Sequence, residues 1–91
     1  MGLWIEANGK RQAITPNDGK YFSLEELQKY VGGYIERIDM FNGNAMYVDE
    51  EGRLKNLPYN EFATKVLANL GALPCDYIRG NALIVQNKEE E

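Results

Sequence analysis

Two consecutive glycines, Gly32 and Gly33, stand where a helical pattern of apolar residues ends and a strand pattern begins. Apolar residues recur at helical spacing from Leu24 to Val31, and from Tyr34 onward the spacing changes to every second residue. A helix that turns directly into a strand needs a left-handed residue at its end, and glycine adopts that conformation without a Cβ penalty. Gly32 is therefore predicted to end the helix, while Gly33 allows close backbone approach or frees the direction in which the strand leaves.

Capping signals predict where the two helices begin. Ser23, followed three residues later by Glu26, has the spacing of a capping box. Asn60 is the predicted N-cap of the second helix, with Glu61 in the first turn and Gly71 just past the end.

Turn signals complete the order of elements. Asn8-Gly9 is predicted to close a type I′ hairpin, and Asn42-Gly43 a second hairpin. A short optional strand is expected at Leu54, and the run "ALIV" near the C-terminus is continuous enough to be a central strand covered on both faces. The predicted order is β-β-α-β-β-(β)-α-β. We expect a small α+β domain, a mainly antiparallel sheet with two helices packed on one face.

Length and composition fit one soluble domain. The chain has 91 residues, of which 44% are hydrophobic and 26% charged. Residues 1–87 are assigned to a single α+β domain, and residues 88–91 to a solvated acidic tail. No apolar run approaches the roughly 18 residues of a membrane span, and the N-terminus lacks the apolar stretch of a signal peptide. A single cysteine agrees with a reducing compartment, so we expect a cytoplasmic protein.

The residue types that are missing narrow the chemistry. The chain has no histidine, the side chain best suited to proton transfer near neutral pH and the commonest zinc ligand. We therefore predict no catalytic residue, no metal site and no cofactor. The net charge of -4 is opposite in sign to the basic surface of a nucleic-acid-binding protein, so no direct nucleic-acid binding is expected.

Glu36 breaks the apolar face of the strand that follows the glycines. It shares that face with Tyr34, Ile38 and Met40. An unpaired carboxylate buried there would cost several kcal/mol. Either Glu36 lies exposed at the sheet margin or on a bulge, or it lines a ligand pocket.

Arg79 is the second candidate, because it precedes a glycine in "DYIRGNA". A guanidinium beside a glycine bend can hold a phosphate or carboxylate. A salt bridge to Asp76 or Glu36 accounts for the same residues.

The other candidate residues divide into two groups. Tyr34, Tyr47 and Asn60 are predicted to join Glu36 and Arg79 at a ligand site, with tyrosines for stacking and Asn60 for a base or ribose edge. A partner interface is predicted from Trp4, Glu50 and Glu51.

Three segments together carry a family resemblance: "SLEELQKYVGGYIERIDM", "DEEGRLKNLPYNEFAT" and "DYIRGNALIV". The sequence resembles an uncharacterised domain-of-unknown-function family of bacteriophages, prophages and conjugative elements, over nearly the whole chain. The resemblance implies a mobile-element protein in a bacterial cytoplasm and transfers no catalytic residue.

That context leads to a first hypothesis, by analogy with small phage proteins that act by binding. We expect a non-enzymatic binding protein, acting in counter-defence by sequestering a signalling nucleotide and forming a homo-oligomer. The alternative is a protein-protein inhibitor of a host or bacterial immune enzyme. A small carboxylate-dependent enzyme is the second alternative and ranks last, because a paired base and nucleophile are lacking.

Overall fold

Five antiparallel strands form one sheet in the order β2-β1-β5-β4-β3, with two helices against it. The structure is a computed structural model and describes residues 2–17, 19, 21–73 and 77–86. Its elements are β1 (Gly2–Ile5), β2 (Arg11–Ile14), α1 (Leu24–Val31), β3 (Ile35–Asp39), β4 (Asn44–Asp49), α2 (Glu61–Leu70) and β5 (Ala82–Gln86). The α+β class predicted from the sequence is confirmed. The optional strand at Leu54 does not form, since residues 51–56 are turns, and the tail 88–91 lies outside the described residues.

The two helices pack on opposite faces of the sheet. Met46 and Val48 of β4 belong to the core that contains Ala63 and Leu67 of α2. The alternate residues of the same strand, such as Tyr47, belong to the core that contains α1. Neighbouring residues of a strand point to opposite faces, so the prediction that both helices lie on one face is wrong. The reason is that β4 and β5 are apolar at successive positions and need cover on both sides.

Helix ends follow the predicted signals. Ser23 and Glu26 form the capping box at the start of α1, and Gly32 ends that helix in the left-handed region with φ 92°. The Asn8-Gly9 turn differs from its prediction, because among the described residues of that hairpin only Gly9 has a positive φ. The Gly9 N–H donates to the carbonyl of Glu6 at 3.0 Å, which closes a turn over residues 6–9. A type I′ turn needs a positive φ at both central residues, so the predicted type I′ turn is wrong.

Asn60 joins three parts of the fold through one buried carboxamide. Its Oδ1 accepts from the N–H of Ala63 at 3.1 Å, which caps α2. Its Nδ2 donates to the carbonyls of Ile5 at 3.1 Å and Gly80 at 2.9 Å. Each polar group of the side chain therefore has a partner, and the start of α2 is tied to the end of β1 and to the segment before β5.

Thr64 extends this network by one turn of α2. Its hydroxyl donates to the carbonyl of Asn60 and accepts from the N–H of Ile78, both at 2.8 Å. The N–H of Asn60 donates in turn to the carbonyl of Ile78 at 2.8 Å. The segment before β5 is thus held against the N-terminus of α2.

The substitution Asn60→Asp tests the two Nδ2 bonds separately from the cap. Aspartate keeps an oxygen for the Ala63 N–H but cannot donate to Ile5 and Gly80, and it buries a charge. We expect the free energy of unfolding to fall by about 3 kcal/mol or more, measured by urea denaturation. Asn8→Asp is the matched control: the Asn8 Oδ1 accepts from the Lys10 N–H on the surface, and the change should stay within about 0.5 kcal/mol. Equal effects of the two substitutions would contradict the role given to Asn60.

Candidate functional site

A cleft of about 370 Å³ opens on the α2 face of the sheet, beside the edge strand β3. Its floor is formed by β3 and β4, and its walls by the turn after β4 and by the segment before β5. The lining residues are Glu36, Ile38, Val48, Asp49, Glu50, Gly52, Arg53, Leu54, Tyr77, Ile78 and Arg79. The volume lies near the lower end of the roughly 300–1,000 Å³ that is common for small-molecule sites.

Arg79 is held in the wall of this cleft by its own fold. One guanidinium nitrogen donates to Asn56 Oδ1 at 2.9 Å and to the carbonyl of Leu57 at 2.8 Å. The other donates to the Tyr77 hydroxyl at 3.1 Å. Of the five N–H groups of an arginine, three are thus used within the described chain. The remaining two belong to a guanidinium whose position is already fixed.

Backbone geometry brings Arg79 to this place. Residue 79 pairs with Tyr59 in an isolated antiparallel bridge. Gly80 follows with φ 83°, and its N–H donates to the carbonyl of Pro58 at 2.7 Å. A Cβ at Gly80 would lie 2.8 Å from the side chain of Leu57. The glycine after the arginine is therefore needed both for its left-handed backbone and for the close contact.

Glu36 lies on the same cleft as Arg79 but is not paired with it. It is exposed on the edge strand, opposite Val48 of β4 and on the same face as the buried Ile38. Among the described residues no hydrogen bond or ion pair to its carboxylate is formed. Glu36 therefore stands at the sheet margin and also lines a cleft, which combines the two alternatives raised by the sequence.

The charges of the described residues that line the cleft nearly cancel. Glu36 and Glu50 are exposed acids, and Arg53 and Arg79 are the cationic residues of the lining. Asp49 also reaches the cleft but is neutralised by Lys55, whose Nζ lies 3.0 Å from its Oδ2. Such a cleft is suited to a ligand that carries an anionic group together with hydrogen-bond donors, and less to a polyanion.

The other predicted ligand residues are not brought to this cleft. Tyr47 is buried on the α1 face, opposite to Glu36. Asn60 is 1% exposed and its carboxamide is used within the fold. Tyr34 is 67% exposed and lines a separate cleft of about 350 Å³ with Glu51 and Lys55. Sequence spacing placed Tyr34 on the correct strand face but not its ring in the cleft.

The predicted partner residues are also separated. Trp4 is half-buried, packs edge-on against Tyr30 with ring centroids 5.2 Å apart, and donates its indole N–H to the Tyr30 carbonyl at 3.0 Å. It therefore anchors α1 to β1. Glu50 and Glu51 lie on the turn after β4, and only Glu50 lines the cleft that contains Arg79.

Residues 2–91 match the sequence model of one protein family. That family is described as a domain of unknown function and is designated DUF3846. The chain belongs to this family. No curated protein and no solved structure matches the chain. Membership confirms the resemblance to an uncharacterised domain and assigns no ligand. Neither described helix has the length and apolar sequence required to cross a bilayer.

Asp49 and Lys55 form an ion pair that the sequence analysis did not identify. The side chain of Asp49 is 1% exposed, and its Oδ1 accepts from the N–H of Glu51 at 2.8 Å while Oδ2 binds Lys55. The hydrogen bond that Lys55 donates to Asp49 raises the pKa of Lys55, against a smaller opposing effect of desolvation. The turn after β4, which forms one wall of the cleft, is thereby fastened to the end of the strand.

Gly33 lies directly against this ion pair. A Cβ at Gly33 would lie 2.6 Å from Lys55 Nζ and 2.8 Å from Asp49 Oδ2. The sequence leaves two roles open for Gly33, close backbone approach or freedom in the direction of the strand, and the structure supports close approach. The signal for the ion pair that the sequence contains is an acid at the end of an apolar strand, followed six residues later by a lysine. Nothing in that spacing links the pair to Gly33.

A double-mutant cycle tests this contact. Gly33→Ala forces the ion pair to move, and we expect a loss of about 1–3 kcal/mol in the free energy of unfolding. The added methyl group should cost less in a Lys55→Ala background, with a coupling of at least about 0.5 kcal/mol between the two positions in urea denaturation. Strictly additive effects would show that Gly33 does not pack on the pair.

Proposed function

We propose that the chain is a non-enzymatic binding protein of a bacteriophage or related mobile element, which sequesters a small signalling nucleotide in the cleft beside β3. The observation that carries the proposal is the fixed guanidinium of Arg79 facing the same cleft as the exposed carboxylate of Glu36. The mobile-element setting and the bacterial cytoplasm come from the sequence resemblance alone. Sequestration in counter-defence is an analogy with small phage proteins that act by binding.

The guanidinium suits the phosphate of such a ligand. Arginine binds phosphate through paired N–H donors, and a guanidinium already held by three hydrogen bonds loses little conformational freedom when it does so. Arg53, exposed on the opposite wall, supplies a second positive charge. The described lining of the cleft contains two arginines and two exposed acids, a balance that favours one phosphate group over a triphosphate.

The carboxylate suits the base. Glu36 has only acceptor oxygens when ionised, so it selects a ligand edge that presents N–H donors, such as the N1–H and exocyclic amino group of guanine. Tyr77 also lines the cleft, beside Arg79, and offers part of an aromatic ring for contact with the base. A volume of about 370 Å³ accommodates one nucleotide unit, so a dinucleotide would extend beyond it.

Isothermal titration with GMP, ADP-ribose and cyclic di-GMP tests the proposal, with guanosine as the ligand that lacks phosphate. We expect binding that weakens about tenfold or more in Glu36→Gln and in Arg53→Ala, because each loses a charge-assisted contact. Glu36 and Arg53 are exposed, and their side chains form no hydrogen bond within the described residues, so these variants should fold normally. Glu25→Gln, on the first turn of α1 and on the other face, is the matched control.

Three results would overturn the proposal. The first is that none of the nucleotides binds to the wild-type protein. The second is that guanosine binds as tightly as GMP, which would deny a role to the arginines. The third is that Glu25→Gln weakens binding as much as Glu36→Gln does.

A protein-protein inhibitor is the second candidate, because large apolar side chains are exposed in the lining of the cleft and next to it. Leu54, on the turn after β4, is 84% exposed, and Tyr34 is 67% exposed. Exposed apolar groups can contribute contact area to a partner, and tyrosine is among the residues enriched at the centres of interfaces. If a host or immune enzyme is the target, Glu51→Lys should weaken the complex and leave nucleotide titrations unchanged, since Glu51 lies outside the cleft. Unchanged inhibition in Glu51→Lys and in Leu54→Ser would exclude this surface.

A further inference from the structure

Strand β3 stands at one edge of the sheet, and within the described part of the chain it pairs with β4 alone. At one end the N–H of Glu50 donates to the carbonyl of Tyr34 at 2.9 Å, and at the other the N–H of Met40 donates to the carbonyl of Asn44 at 3.1 Å. Hydrogen-bonded residues alternate along an antiparallel strand. The even-numbered residues 34–40 therefore face β4, and the backbone groups of Ile35, Arg37 and Asp39 face outward.

We propose that this edge pairs with β3 of a second copy of the chain, antiparallel, about a two-fold axis perpendicular to the sheet at Ile38. Ile38 then faces Ile38 of the partner subunit. Arg37 faces Asp39 of the partner subunit, and Asp39 faces the partner's Arg37. The outward backbone groups of residues 37 and 39 bond to each other across the axis, which makes one sheet of ten strands.

The charge pattern selects this register from its neighbours. Residues that face each other across antiparallel strands must lie on the same sheet face, so only alternate registers are allowed. An axis at Arg37 would oppose two arginines, and an axis at Glu36 would oppose two glutamates, and both contacts are repulsive. An axis at Ile38 instead makes two pairs of opposite charge. Arg37 and Asp39 are both exposed and share one face of β3.

Charged residues on an edge strand commonly prevent pairing. In β3 the two signs stand two residues apart on one face, so the strand is complementary to itself. Phe41 adds an apolar contact, because it is 71% exposed, with φ 63°, just beyond the end of β3. The same register places it opposite the partner's Ile35, which is half-buried at the margin of the α1 core.

The other edge of the sheet is less suited to self-pairing. Strand β2 has four residues, and the bond from the Glu6 N–H to the Lys10 carbonyl leaves only Arg11 and Ala13 facing outward. Pairing of β2 about Gln12 would place Arg11 opposite the partner's Ala13, because the sequence of β2 is RQAI and contains no acid. A β2 edge therefore offers no pair of opposite charges.

Native mass spectrometry and sedimentation equilibrium of the full chain at low salt test the proposal by charge exchange. The wild type should be a dimer. Arg37→Asp and Asp39→Arg should each weaken it about tenfold or more, because two attractive pairs become repulsive. The double variant R37D/D39R should dimerise again, and an equimolar mixture of the two single variants should form the mixed dimer. Lys10→Asp, which changes the net charge as Arg37→Asp does, should remain dimeric.

A second measurement does not depend on the variants folding. Amide hydrogen exchange of the wild type should show protection at Arg37 and Asp39 that rises with protein concentration, with no such rise at Arg11 and Ala13. A wild type that is monomeric at every concentration would overturn the proposal. So would a double variant and a mixture that both remain monomeric, or concentration-dependent protection confined to β2.

Discussion

The carboxamide of Asn60 holds together the segments that position the candidate site of this small domain. It caps α2 and donates to backbone carbonyls of Ile5 and Gly80, two segments that are far apart in sequence. Together with Thr64 it fixes the segment before β5, and that segment carries Arg79 into the wall of the cleft. A side chain that is fully hydrogen-bonded in a buried setting is costly to replace. The position of the guanidinium therefore depends on a residue that does not itself face the cleft.

Local signals in the sequence predict the two helices and the five strands that form, but they also predict a strand at Leu54 that does not form, and they do not give the arrangement of the helices. The capping box at Ser23 and the left-handed Gly32 depend on residues within a few positions, and both occur as predicted. Which face each helix covers depends on contacts between distant segments. The apolar run from Ala82 to Val85 already indicated a strand buried on both sides, and that requirement is met by one helix on each face.

The residues of the cleft also divide into those that local signals predict and those that depend on contacts between distant segments. Glu36 was predicted from its place on a strand face, and Arg79 from the glycine that follows it, because each signal is local. Tyr47 and Asn60 were assigned to the same site by residue type, but a tyrosine one residue out of phase with Glu36 points to the other face. The pair of Asp49 and Lys55 was missed because its third member, Gly33, contributes only the absence of a side chain.

The proposed cleft and the proposed interface meet at β3. An axis perpendicular to the sheet keeps the same face upward in both subunits, so the two clefts would open on one side of a continuous sheet. Glu36 lines its cleft from the edge strand, two residues from the axis at Ile38, so each cleft would border the neighbouring subunit. A nucleotide unit held by Arg79 in one subunit could then extend toward the other. A ligand with two nucleotide units would then occupy both clefts of the dimer. Each cleft has the volume for one unit, and the self-complementary charges of β3 would bring the two clefts together.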